Sequence, residues 1–132
     1  MYRYGKESLN QLIAIALGGA FGSVARFGMS NAVYGLLGRG FPYGTLAVNL
    51  LGSLVIGFLY VILVERSALG PEWRALLIVG FLGGFTTFSS FSMETVTLLE
   101  EQAYLKAVLN VVGSVVLCLA ATVVGLIVAR KL

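Results

Sequence analysis

The chain has 132 residues and a net charge of +3, with 58% hydrophobic and only 11% charged positions; soluble domains average about 25% charged residues, so a water-facing surface cannot be assembled from it. It contains no His, no Asp and one cysteine, Cys118, so zinc sites, Ser/His/Asp or Cys/His triads, disulfide frameworks and CxxC redox pairs lack their parts. What is left is a small all-α integral membrane protein of a single domain, 1–132, that is not an enzyme.

Uncharged stretches run in chain order from Ser8 to Ala25 (resuming beyond Arg26 as Phe27 to Gly38), from Gly40 to Val64, from Ala75 to Met93 and from Ala107 to Ala129. A hydrocarbon core of about 30 Å needs about 20 helical residues. Lipid offers no partners to backbone amides, so a spanning segment is a helix or part of a closed barrel. Runs such as Leu54 to Val64 and Val115 to Val128 lack the every-second-residue alternation of barrel strands. Four transmembrane helices are therefore expected, at about 8–37, 43–65, 73–99 and 103–130. The first is too long for a signal peptide and carries no small-residue cleavage site.

The joints between these helices are short: Arg39 to Tyr43, Glu65 to Arg74 and Glu100 to Lys106. Four spans place both termini on one side, with Arg3, Lys6, Arg66, Arg74, Arg130 and Lys131; the other side has Arg39 and Lys106. Positive charge favours cytoplasmic termini, though the bias is moderate. Anchoring to lipid headgroups accounts for the net charge, so no nucleic-acid partner is read from it. Four helices also leave little room for a path through their middle, so transport requires an oligomer, most often a two-fold dimer. Gly18 with Gly22, and Gly80 with Gly84, are small-xxx-small pairs suited to close helix contact, whether internal or between chains.

Polar residues inside the spans carry the functional information, because such groups are costly at membrane depth. Asn49 lies near the middle of the second helix with Thr45 and Ser53 one turn away on either side. Asn110 and Ser114 are one turn apart in the fourth, on the face that Cys118 continues. The third holds Gly80-Phe81-Leu82-Gly83-Gly84-Phe85-Thr86-Thr87-Phe88-Ser89-Ser90-Phe91-Ser92-Met93-Glu94. Single hydroxyls in helices commonly bond back to the carbonyl one turn earlier; an Asn amide is not satisfied so cheaply within its own helix.

Gly83-Gly84 disfavours helix by about 1 kcal/mol per residue relative to Ala, and Thr86 or Thr87 is suited to cap a new helix starting near Phe88. A break at membrane depth persists only when it is buried in protein or holds an ion. Spacing alone leans slightly toward a glycine-softened kink without a ligand and leaves the ion-filled break open. The spans hold one acidic residue, Glu94. Donors otherwise dominate: Asn amides, hydroxyls and the positive ring edges of Phe88 and Phe91, three apart on one face. A cation path needs carboxylates or arrays of carbonyls. Composition and spacing thus reach as far as a candidate anion path.

The chain also resembles the Fluc (CrcB) fluoride channels over nearly its whole length. The resemblance lies in Gly18-Gly19 to Arg26-Phe27, in Pro42-x-Gly44-Thr45-Leu46-x-x-Asn49-x-x-Gly52, in the third-helix run from Gly80 to Glu94, and in Asn110 with Gly113-Ser114. It implies an antiparallel, dual-topology homodimer in the bacterial cell (inner) membrane, with two fluoride pores lined by both subunits. Asn49 would donate its amide to fluoride, and Phe88 and Phe91 would present ring edges. Ser114 would line a polar track, and Ser89 and Ser90 would border the path. Ser90 stands where many members have Thr, and Asn110 where some have Tyr. The carbonyls of Gly83 and Thr86, from both subunits, would hold a structural Na+ that is not transported. Arg26 either snorkels to the headgroups, as a lone Arg near a span end usually does, or, on the family pattern, concentrates anions at a wide vestibule.

The expected activity is passive, fluoride-selective export down the electrochemical gradient, relieving fluoride toxicity. A small multidrug-resistance exporter has the same size and span count, but needs a buried carboxylate in its first helix, and Leu9 to Leu37 contains none. A purely structural assembly factor leaves the polar track without a purpose.

Overall fold

The structure is a computed structural model and describes residues 2–132, with side chains from Gly5 onward. Met1, and the Arg3 side chain counted above, lie outside the described residues. Four of its helices are long and apolar enough to cross a membrane: Gly5–Leu37, Tyr43–Glu65, Pro71–Glu100 and Tyr104–Lys131. No strand occurs among the described residues.

The first span is one helix, α1 (Tyr2–Leu37). It starts six residues before the expected boundary, because charged residues such as Lys6 and Glu7 are sound helix formers; loss of apolar character marks the membrane surface, not the helix end. Gly38 closes α1 in the left-handed region, φ 81°, with its N–H on the Tyr34 carbonyl at 2.9 Å, the usual place for a glycine beyond a helix C-terminus. The second span is α2 (Tyr43–Tyr60), which widens into a π-helical turn over Val61–Glu65. The third begins with Pro71 at the first position of α3 (Pro71–Arg74), where its missing N–H costs nothing. It continues as a π-helix over Ala75–Leu82, the short α4 (Gly83–Phe85), and then α5 (Phe88–Glu100). The fourth is α6 (Tyr104–Lys131).

The third span is thus broken as expected, but two residues later than the diglycine. Gly83 is helical, φ −60° and ψ −38°. The extended residues are Thr86, φ −90° and ψ 156°, and Thr87, φ −150° and ψ 114°. Gly84 serves packing: a Cβ there would stand 2.6 Å from the Gly19 carbonyl oxygen of α1, and one at Gly80 would stand 2.9 Å from that of Ile15. Gly18 and Gly22 in turn face the backbone of Leu76 and Phe81. The two small-residue pairs meet each other inside the chain, and that is the internal alternative raised from sequence. Gly57 of α2 and Gly125 of α6 make a second backbone-close crossing.

Hydrogen bonds fix the connectivity of the bundle. At one end Arg66 donates to the Ala129 carbonyl at 2.9 Å, and Arg130 Nε reaches Glu65 at 3.2 Å. At the other, Lys106 donates to the Gly40 carbonyl at 2.8 Å. The second joint therefore lies beside the C-terminus, and the first beside the third, as four antiparallel spans demand. The interior is thin: Val48, Val61, Leu63, Leu82 and Phe85 are buried, whereas Val24, Phe27, Leu105 and Leu119 point outward. With a mean hydropathy of +0.95, that outward face is matched to lipid, which solvates it as well as a protein core would. The chain is a multi-pass membrane protein.

Candidate functional site

The break at Thr86–Thr87 interrupts the backbone ladder, and its freed groups are the raw material of the site. In a continuous helix each N–H reaches the carbonyl four residues back. Here the Thr87 N–H goes to Asn49 Oδ1 at 2.7 Å instead of to Gly83, and the Ser90 N–H goes to Thr87 Oγ1 at 3.2 Å instead of to Thr86. Of the two threonines expected to cap the new helix, Thr87 is the one that does, and α5 starts at Phe88 as expected. Thr86 bonds backward, its hydroxyl on the Leu82 carbonyl at 2.8 Å.

Asn49, on α2, holds the break from both sides. Its Nδ2 donates to the Thr87 carbonyl at 3.0 Å while its Oδ1 accepts from the Thr87 N–H. An amide offers two N–H donors, so this clamp uses one and leaves the second free to turn toward the space beside it. Phe88 and Phe91 stand in that space with ring centroids 5.4 Å apart and planes tilted by 44°. Phe88 is 77% exposed in the single chain.

These groups surround one cavity of about 470 Å³, whose wall includes Asn49, Gly83, Thr86, Phe88, Phe91 and Ser114. Six of the ten residues singled out from sequence therefore converge. The other four do not line it. Asn110 is buried behind it, donating to Thr95 Oγ1 at 2.9 Å and accepting weakly from Ser114 Oγ at 3.5 Å, so it orients the serine that does. Ser90 is engaged with the Thr87 cap at 3.1 Å, and Ser89 lies exposed beside that hydroxyl at 3.3 Å. Arg26 is half-buried and turns inward rather than snorkelling: its Nε donates to the Gly84 carbonyl at 2.9 Å. A carbonyl stripped of its helical donor is a stronger partner than a distant headgroup.

Sequence reasoning passed over Thr87, Ser53 and Cys118 as wall residues. Ser53 and Cys118 each sit four positions from a residue it did name, Asn49 and Ser114, so helical spacing carried the signal. Thr45, spaced equally from Asn49, goes elsewhere: its hydroxyl donates to Glu94 Oε1 at 2.6 Å. Glu94 Oε2 is buried without a partner among the described residues.

The donor set also bears on a cation. Gly83 and Thr86 are two carbonyls whose ladder donors are diverted, to Asn49 and to Thr87 Oγ1 respectively. Free carbonyl oxygens near a helix break suit a hard cation, so these residues fit the sodium that the sequence resemblance implied.

Comparison with known proteins places the chain among relatives. The family described as "CrcB-like protein, Camphor Resistance (CrcB)" matches residues 13–126. A "Fluoride-specific ion channel FluC" of Methylococcus capsulatus is 60% identical over 121 residues, 92% of this chain, although the chain spans only 53% of that relative's length. Proteins of the same description from Magnetococcus marinus and Citrifermentans bemidjiense are 49% and 50% identical over 91% and 94% of the chain, and are themselves covered over 98% and 100% of their length. With the match running from α1 to α6 and through every residue of the cavity wall, the chain belongs to the CrcB family.

Proposed function

We propose that the protein is a fluoride-selective channel that lets cytoplasmic fluoride leave passively, down its electrochemical gradient. The observation that carries this is the cavity wall: an Asn amide with one uncommitted N–H, two aromatic edges and a serine hydroxyl, with no carboxylate among them. Fluoride is small and strongly hydrated, so a path must replace its water with hydrogen-bond donors. Asn49 and the rims of Phe88 and Phe91 supply them, and Ser114 adds its hydroxyl when that turns from the 3.5 Å contact with Asn110 Oδ1. Asn110 positions Ser114, while Ser89 and Ser90 border the same half-helix. In acid surroundings neutral hydrogen fluoride crosses the bilayer and ionises inside, and the trapped anion leaves by the channel. Relatives named as fluoride-specific ion channels over 91% or more of this chain support the reading.

The cavity is open on one side in a single chain, and a second copy, inserted antiparallel, would close it. A dual-topology homodimer with two pores in the plasma membrane of a bacterium is the assembly we infer. Sodium bound to the Gly83 and Thr86 carbonyls would supply a fixed positive charge holding the two broken helices together, and would not be transported. The decisive experiment is anion efflux from liposomes carrying the purified protein. Fluoride is expected to leave far faster than chloride; equal rates would overturn the proposal.

A further inference from the structure

Arg26 donates through Nε to the Gly84 carbonyl, 58 positions away, at 2.9 Å. In an unbroken helix that carbonyl would receive the Phe88 N–H, and Phe88 is the residue at which α5 restarts on a new course. We infer that Arg26 is a positioning residue of the pore: it caps the diverted carbonyl that faces α1, and so fixes the course of the break and the placement of Phe88.

Three observations carry this. First, the freed groups of the break are shared out among distinct partners. Asn49 takes both backbone groups of Thr87, Thr87 Oγ1 takes the Ser90 N–H, and Arg26 takes Gly84. The Gly83 and Thr86 carbonyls stay open to sodium. Without Arg26, Gly84 would compete with them for the ion or remain an unpaired acceptor at membrane depth. Second, α1 is already locked to this segment, because Gly84 has no room for a side chain against Gly19. The arginine, two turns further along α1, therefore meets a carbonyl held at a fixed distance. Third, Arg26 is absent from the cavity wall, so its action on the pore passes through the backbone of the third span.

The chemistry offers a sharp test, because the bonding atom is Nε and not the outer guanidinium. Gln places its amide nitrogen at the same number of bonds from Cα as Arg Nε. Met has the same reach and no donor. Lys keeps the charge but puts a methylene where Nε stood. Amide hydrogen exchange over residues 86–91 in bilayer nanodiscs is compared for the parent and for Arg26→Gln, Arg26→Met and Arg26→Lys, beside fluoride efflux from liposomes at low and high ionic strength. Arg26→Met is expected to speed exchange at Phe88–Phe91 by about tenfold or more, the usual scale for an acceptor left unpaired away from water. Arg26→Gln restores protection and flux toward the parent, and Arg26→Lys does so less well. Protection and flux that follow charge, kept by Lys and lost by Gln, would overturn the assignment, as would parent-like exchange in all three variants. Should Arg26→Met fail to fold, the Gln and Lys pair still decides. Only the flux arm rests on the channel reading; exchange is measured without transport, so either idea can fail alone.

Discussion

Asn49 has two tasks that pull on one side chain. Its oxygen and one of its amide hydrogens close on Thr87, and in the proposed channel the other hydrogen is the one that meets fluoride. Asn49→Asp keeps the oxygen that accepts from the Thr87 N–H, removes both donors, and sets a negative group beside the Thr87 carbonyl. It is expected to lower fluoride efflux from liposomes by at least about tenfold, the scale of a lost and unreplaced buried donor, with the assembly intact on size exclusion. Replacing Phe88 and Phe91 together with Ile keeps the apolar character but removes the ring edges, so flux should collapse in the same assay. Unchanged conduction in either variant would take those residues out of the path.

In the third span, the start of α5 carries one side-chain cap. Thr87 Oγ1 satisfies the Ser90 N–H at the start of α5, and Thr87→Ala should cost about 1 kcal/mol, the ordinary value for a helix N-cap. Thermal unfolding in detergent reads that loss, while Thr87→Ser should recover most of it. The contact between α1 and the third span is less forgiving. A Cβ on Gly22 would run into the Phe81 backbone, which cannot swing aside as a side chain can. Gly22→Leu is expected to destabilise by about 1–3 kcal/mol or more, the range for overpacked interiors, and to reduce the monodisperse fraction on purification. By contrast a Cβ at Gly113, inside α6, would meet nothing within 4 Å, so Gly113→Ala should stabilise the isolated chain by about 0.5–1 kcal/mol.

For the molecule as a whole, the proposed sodium and the proposed antiparallel pairing can each be tested. If sodium sits on the Gly83 and Thr86 carbonyls of two chains, replacing it with a bulkier monovalent cation should lower fluoride flux severalfold and raise the protein concentration at which the assembly forms, because an ion shared by two chains stabilises their association. Equal flux in both salts would remove the ion from the reading. The lysine and arginine asymmetry between the two ends sits awkwardly with equal insertion both ways, and labelling of tagged termini from each side of the membrane measures the ratio directly. Both orientations must be found if the pores need antiparallel partners.

How far the residues alone reach depends on the range of the forces concerned. Hydropathy and helical spacing act within one segment. They placed four spans, a cap at Thr86 or Thr87, the Phe88 start and the shared face of Phe88 and Phe91, since lipid obliges every backbone group to pair locally. The diglycine is the expected break for the same local reason, and there tertiary structure decides otherwise: Gly84 is committed to the approach of α1, and the chain opens two residues later, where Asn49 from another helix can take the Thr87 backbone groups. Likewise no spacing rule distinguishes Thr45 from Ser53, each one turn from Asn49. Only the packing of α5 against its neighbours gives the first to Glu94 and leaves the second on the cavity. Arg26 turned inward because a carbonyl 58 positions away had lost its donor, a need created by the fold and invisible along the chain.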